Sequence, residues 1–277
     1  MRNIAFVIFT KNEEKRIGYV VRNLTKYGAV LIFDDASDDR TQEIVEGLGA
    51  KFITRPHEII EAEDERMYQF VRQYVKDGSW IFWGCADYML PVELLEKMRE
   101  ISLQDKYKYA RVPMFTYLWG ETKYPAHKGY NPRFFKKDSI DFSGNYLHGF
   151  GRFTGTADEI LTLPMEEKYA IHHYSLYDMR KYIARHLYCA ESEAWYKFEK
   201  KKKFSVFLML GAMCRYFFLF YKRFFRSGVK GFNVAILHAF YRFMVYMRLY
   251  ELENGLTLES MEKDYSASKE RMLKDIV

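Results

Sequence analysis

Apolar positions fall first in short runs and later in long helical stripes. Residues 4–9 (IAFVIF), 30–33 (VLIF) and 79–83 (SWIFW) are short, unbroken and rich in β-branched and aromatic side chains, which predicts buried strands. Residues 51–54 (KFIT) read as a further short strand. Between these runs, Ile17, Val20, Val21 and Leu24 stand at helical spacing within 15–26, and 41–48 reads as a helix stopped by Gly49. A long helix is predicted over 58–76, where an acidic start suits the positive end of its dipole, and another begins at Pro91 and runs to 101. Strand, helix and strand in this rhythm predict parallel βαβ units with right-handed crossovers. Residues 106–164 mix aromatics with strand candidates at 110–115, 133–136 and 160–163. Helices are expected over 182–199 and 204–253, the latter broken near 228–231, with a charged peripheral helix over 257–277. No internal repeat is evident. The expected class is α/β: a Rossmann-like, mostly parallel sheet flanked by helices over 1–175, followed by a helical extension over 176–277.

Composition adds one unexpected feature. The 277 residues are 49% hydrophobic and 29% charged with 6 Pro, which excludes a disordered or low-complexity chain. Cys85, Cys189 and Cys214 are too far apart for a zinc motif and odd in number, as expected for a reducing compartment. The formal charge is +6, yet residues 197–230 hold ten Lys or Arg against one acid, Glu199, and ten aromatics. The rest of the chain is therefore mildly acidic. Four readings of this basic, aromatic arm remain open: nucleic-acid binding, a transmembrane helix interrupted by Arg215, an interfacial helix on an anionic membrane, and a buried helix with a solvated lysine face. The run 204–221 is too apolar for a solvated nucleic-acid surface, so no nucleic acid is expected, and the interfacial reading is preferred. The apolar stretch near residue 4 is too short for a signal peptide, so no export is expected.

Three polar clusters, TKNEE (10–14), DDASDDRT (34–41) and CADY (85–88), each follow a predicted strand. In open α/β sheets ligands bind beyond the carboxyl ends of the strands, so the clusters are expected to share one crevice. Asp34, Asp35, Asp38 and Asp39 offer Asx-turn and helix-cap chemistry, with Ser37 or Asp38 as a cap, but four carboxylates exceed what one cap needs. Asp34 is also placed to accept from a nucleobase N–H or a ribose hydroxyl. Asp87 suits a divalent cation between diphosphate oxygens, or alternatively a cap for the Pro91 helix. His148 and His173 are isolated in sequence, and each has a purely structural reading as well. Arg133 would clamp a phosphate or an acceptor carboxylate, or pair with a surface acid.

In this order, the clusters resemble the family 2 glycosyltransferases of GT-A fold. TKNEE is similar to the family's first strand end, DDASDDRT to its DDGSTDGT, and SWIFWGCADYM (79–89) to its W-I-L-x-L-D-A-D-E. YNPRFFKK (130–137), YLHG (146–149), residues 173–194 and residues 224–251 resemble the branch that builds bacterial lipopolysaccharide core. The resemblance covers about 3–251. It implies a GT-A-like sheet and inverting sugar transfer from a nucleotide sugar, UDP-linked by expectation, to a lipopolysaccharide-type or lipid-linked glycan. Thr10, Asn12, Glu13, Asp34 with Asp35, Arg66 and Arg133 would hold the donor, while Asp87 would bind ribose or metal. His173 would complete the coordination of Mg²⁺ or Mn²⁺ or contact the diphosphate. Two departures stand out. Cys85 replaces the first aspartate of the family's DxD, and a thiol is a poor ligand for either cation, which weakens the case for metal dependence. Gly149 follows His148 where the branch has a glutamate, so the role of base falls to His148, to Asp158 or Glu159, or to no residue at all. The implied place of work is the cytoplasmic face of the inner membrane, with residues 197–230 on anionic lipid. Alternatives are a capsule-type transferase acting on a polyprenyl carrier, an inactive sugar-nucleotide-binding module, and nucleotidyl transfer.

Overall fold

The computed structural model describes residues 4–59, 62–143, 150–175 and 179–274, with Lys181 by its backbone alone. The chain divides into two compact units, Met1–Tyr177 and Asp178–Val277.

The first unit opens with the expected alternation: Ile4–Thr10 (β1), Ile17–Leu24 (α1), Ala29–Asp34 (β2), Thr41–Gly47 (α2) and Lys51–Thr54 (β3). Next come Glu65–Arg72 (α3), Trp80–Cys85 (β4), Tyr88–Met89 (β5), Val92–Ser102 (α4), Tyr109–Leu118 (β6) and His127–Lys136 (β7). Ile140–Asp141 (β8), Arg152–Phe153 (β9), Ile160–Thr162 (β10) and Ile171–Ser175 (β11) complete it. Among the described residues the main sheet has nine strands in the order β3-β2-β1-β4-β7-β6-β11-β5, with β10 also beside β6. β1, β2, β3 and β4 are parallel, β7 is antiparallel to both β4 and β6, and β11 is parallel to β6. The mostly parallel, helix-flanked sheet is as expected, while the antiparallel β7 makes it mixed.

The unbroken apolar run of β1 follows from burial on both faces. Ile4, Phe6 and Ile8 pack with Ile17, Val20 and Val21 of α1 and Leu94 and Leu95 of α4. The alternate residues Ala5 and Val7 pack with Leu31, Phe33, Trp83 and, from α3, Met67, Tyr68 and Val71.

Two expectations about elements need correction, and one strand carries no signal in the sequence. The helix predicted over 58–76 is only α3, because Asp64 adopts an extended backbone and its side chain accepts from Arg66 N, a cap that starts the helix late. Asp87 does not cap α4, whose N-cap Pro91 has no side-chain cap bond. β11 (IHHYS), to which the sequence pattern assigns no element, is a strand because β6 and β5 supply ladder partners on its two sides.

The second unit is helical: Met179–Glu199 (α5), Val206–Phe224 (α6), Val229–Asn254 (α7) and Leu258–Lys274 (α8). α7 packs on α5 and α6 through Gly231, Val234, Ala235, Ala239, Val245 and Leu249. The break between α6 and α7 is a 3-10 turn, Phe225–Ser227, ended by Gly228 at φ +57°, slightly before the predicted position. Among the described residues, no helix is long and apolar enough to cross a membrane, which removes the transmembrane reading of the basic arm.

Candidate active site

Strand register brings the polar clusters level with one another. Thr10 pairs with Asp34, Asp34 with Thr54, and Phe9 with Cys85, so the carboxyl ends of β1, β2, β3 and β4 open on one edge of the sheet. The first two clusters are then zipped together by hydrogen bonds. Thr10 Oγ1 donates to Asp34 Oδ1 at 2.8 Å, and Ser37 N donates to Asp34 Oδ2 at 2.6 Å. Ser37 Oγ adds a bond to Oδ1 at 2.5 Å and in turn accepts from Asn12 N at 2.7 Å. Glu13 N donates to Thr41 Oγ1 at 2.8 Å, Glu14 N to Asp39 Oδ2 at 3.0 Å, and Asp38 N to Asn12 Oδ1 at 3.0 Å. Asp39, rather than Ser37 or Asp38, serves the start of α2, accepting from Thr41 N at 2.9 Å.

Thr10 and Asp34 are buried, and both oxygens of Asp34 are engaged inside the protein. They shape the loops from within. Asn12 and Ala36 adopt left-handed backbone, with φ of 55° and 52°. Asparagine tolerates this region, whereas at Ala36 it stores strain of the kind that gathers in ligand-binding loops.

Asp35 faces outward from this frame. Its carboxylate meets His57 Nδ1 at 2.8 Å and Lys11 Nζ and Arg55 Nη2 at 3.2 Å each. Burial would raise its pKa, but the bonds from His57 and Lys11 and the charge of Arg55 outweigh it and hold the group below the usual aspartate range. Arg66 is exposed at the start of α3 and forked onto Asp64 at 2.9–3.1 Å.

Beyond β4, Asp87 Oδ2 lies 3.2 Å from His173 Nε2, both side chains being about one-fifth exposed. β11 carries His173 there through its ladder with Tyr88, and Tyr174 N donates to Asp87 O at 3.0 Å. His173 Nδ1 sits 3.4 Å from Thr116 Oγ1, and its ring packs edge-on against buried Tyr88. Asp87 Oδ1 is buried with no hydrogen-bond partner among the described residues. Arg133 approaches the same cluster: burial would lower its pKa, but the charges of Tyr88, Glu63 and Cys85 raise it. Its Nη1 donates to Glu63 Oε1 at 2.8 Å and its Nε to Asn131 Oδ1 at 2.9 Å, while the guanidinium lies over Phe150.

Sequence reasoning missed four of these partners: Arg55, His57, Glu63 and Thr116. Only the fold brings them in. In the other direction, Asp158 and Glu159 do not join the crevice. Glu159 pairs with Lys108, accepts from Thr156 N at 2.9 Å, and its carbonyl accepts from Lys108 N. Lys136 N bonds Lys108 O, and Lys136 pairs with Trp80, so Glu159 lies level with the start of β4. Five residues of strand, about 16 Å, separate that level from Cys85. His148 lies outside the described residues.

The side chains beyond β4 supply only part of a cation's coordination shell. Among the described residues no group of three His, Cys, Asp or Glu side chains is gathered for a metal. Asp87 and His173 offer one oxygen with no partner among the described residues and one imidazole nitrogen, so any divalent cation held there would take most of its ligands from outside the protein.

The sequence pattern described as "Glycosyl transferase family 2" matches residues 5–182, more than half of the chain. The chain is a family 2 glycosyltransferase. An uncharacterised glycosyltransferase of Rickettsia typhi is 27% identical to it over 91% of this chain and 88% of that one, and one of Rickettsia conorii is 26% identical over 90% of each. Among solved structures, Staphylococcus aureus TarS is 13% identical over 69% of this transferase and 39% of that chain, with a TM-score of 0.42. The glucosyl-3-phosphoglycerate synthase of Mycobacterium tuberculosis, solved with Mn²⁺, UDP and glucosyl-3-phosphoglycerate, is 14% identical. That match covers 43% of this chain and 45% of the synthase, with a TM-score of 0.33. The transferase thus spans less than half the length of either solved protein.

Proposed function

We propose that the transferase moves a sugar, with inversion, from a UDP-linked donor to a lipopolysaccharide-type or lipid-linked glycan at the cytoplasmic face of the inner membrane. The observation that carries the donor side is Asp87, held beside His173 at the carboxyl end of β4 with one buried oxygen lacking a partner among the described residues. A dissociating diphosphate develops negative charge, and a site that stabilises it needs fixed cationic partners. When bound, a divalent cation at Asp87 and His173 would supply Lewis acidity to the leaving diphosphate. Asp87 accepts from His173 Nε2 and so orients the ring, with Thr116 Oγ1 beside Nδ1; a cation bound there would take the place of the Nε2 proton and be held by both side chains. The bonds among Thr10, Asp34 and Ser37 preset the loop that meets the nucleotide, and Asn12, Glu13 and Asp35 are its proposed readers. Arg133, freed from Glu63, would exchange one anionic partner for another. The acceptor hydroxyl loses its proton as the sugar transfers. Since Glu159 is committed to Lys108 at the far end of the sheet and Asp158 sits beside it, His148 is the remaining proposed base.

The test is donor turnover and transfer, with and without EDTA, across UDP-, GDP- and dTDP-sugars and lipid-linked acceptors. Asp87→Ala and His173→Ala are each expected to lower kcat by about a hundredfold or more while leaving thermal unfolding unchanged. Wild-type turnover by Asp87→Ala would remove the proposed role, and turnover confined to soluble acceptors would remove the lipid-linked one.

A further inference from the structure

The helical unit carries an apolar surface that nothing in it covers. α6 is 19 residues long and only Phe224, at its end, is buried. Phe207, Gly211, Cys214 and Phe218, spaced at helical intervals, are exposed along one face; Phe207 is 87% exposed and Phe218 66%. α7 has two stripes. Val234, Ala235, Ala239, Val245 and Leu249 are buried, whereas Val229, Phe232, Ile236 and Phe240 repeat at i, i+3, i+7 and i+11 and are 43–76% exposed. Phe232 packs edge-on against Phe217 and Tyr221 of α6, so the exposed stripes of the two helices are joined. An apolar face of this extent is rare on a soluble monomer and marks an interaction site.

Charge identifies the partner. Lys200, Lys201, Lys202 and Lys203 are exposed just before α6, and Lys222, Arg223, Arg226 and Lys230 are exposed at its other end, about 28 Å away at 1.5 Å per residue. Arg215, also exposed, stands midway. Positive charge at both ends and at the centre of an aromatic-rich apolar face fits a helix lying in the plane of an anionic bilayer, with Phe side chains among the acyl chains and amines at the head groups. A protein partner for the same face would need an apolar patch ringed by acids. A second copy of this chain would instead bring basic ends against basic ends, and that is repulsive.

We infer that the α6–α7 hairpin is the membrane-docking element, inserting Phe207, Phe218, Val229 and Phe232 shallowly into an anionic leaflet. This rests on the proposed lipid-linked acceptor only for its purpose; binding itself requires neither donor nor acceptor. The experiment is flotation of the full chain with vesicles of phosphatidylcholine alone or with phosphatidylglycerol, without any sugar. Binding is expected only to the anionic vesicles, weakening with salt. Replacing Lys200, Lys201, Lys202 and Lys203 by serine should reduce partition by roughly fivefold per lysine. Phe207→Ser with Phe218→Ser should release the protein while leaving its circular dichroism unchanged, because both side chains are exposed. Asp87→Ala should bind like the wild type, which keeps failure of docking separate from failure of catalysis. Equal binding to neutral vesicles, retention by the lysine variant, or a dimer in solution that Phe207→Ser dissociates without any vesicle binding would overturn the inference.

Discussion

At the residue scale, Asp34 changes meaning between sequence and structure. As the last residue of a strand in an acidic cluster it reads as a ligand, and its position at the crevice is legible from spacing alone. Its environment is not, because Thr10 and Ser37 reach it from 24 residues before and 3 residues after. Buried and accepting three bonds, it is engaged inside the loops, and we propose that it supports the site from behind. Asp34→Ala is therefore expected to destabilise the protein by about 2–4 kcal/mol, since Thr10 Oγ1 and Ser37 N lose a charged acceptor. Chemical denaturation reads this directly. Nucleotide affinity at a temperature where the variant is fully folded should fall less than it does for Asp87→Ala. A larger loss of affinity than of stability would return Asp34 to direct contact. Glu63 illustrates the opposite limit: it precedes α3 and meets Arg133 across 70 residues, a pairing no local pattern encodes.

At the element scale, legibility follows how local the cause is. β1, α1, β2 and α2 are readable because the two strands are apolar runs buried on both faces and each helix shows a single apolar face, while the edge strand β3, with only Ile53 buried, is readable from its place in the βαβ rhythm. β11 was not, because IHHYS lacks an apolar run and is a strand only by virtue of its neighbours β6 and β5. Half of β7 was missed for the same reason, its HKGYN portion being polar. In α6 and α7 the period was legible, but whether an apolar stripe meets protein or something else was not. Two glycines separate packing from propensity there. A Cβ on Gly231 would run into the backbone carbonyl of Phe224, which cannot move aside cheaply, whereas one on Gly211 meets nothing. Gly231→Ala is expected to destabilise the helical unit by about 1–3 kcal/mol despite the better helix propensity of alanine. Gly211→Ala should stabilise it by roughly 0.5–1 kcal/mol. Denaturation followed by far-UV circular dichroism should show the opposite signs, and equal effects would mean that α7 does not pack on the turn as described.

At the scale of the whole molecule, the two units have different pH windows. In the first, Asp35 and Asp39 are held below the usual aspartate range. Burial opposes that shift, but hydrogen bonds outweigh it: from His57 and Lys11 at Asp35, and from Thr41 and the Glu14 amide at Asp39. Groups depressed in the fold contribute stability above their unfolded pKa, near 4, and lose it only as pH falls through the folded value. In the second unit His238 is enclosed by Tyr182 and His186 of α5 and by Phe220 and Arg223 of α6. Burial, aided by the charges of His186 and Arg223, pulls its pKa down to about 3. The folded unit keeps it neutral while the unfolded chain binds a proton near pH 6.5, so stability is lost as pH falls from that value, well before the carboxylates of the first unit respond. Between pH 7 and 5 the loss amounts to about 2 kcal/mol, from 1.36 kcal/mol per pH unit below 6.5. Hydrogen exchange, corrected for intrinsic rates, should therefore show protection across α7 falling roughly thirtyfold over this range while β1 and β2 keep theirs. His238→Phe preserves the stack on Phe220 and has no proton to bind, so it should abolish the difference. An equal fall in both units, or a fall in α7 that survives His238→Phe, would place the acid-sensitive group elsewhere. The charge distribution along the chain acts in the same direction: protonation adds to an already basic unit, while the mildly acidic remainder moves toward neutrality.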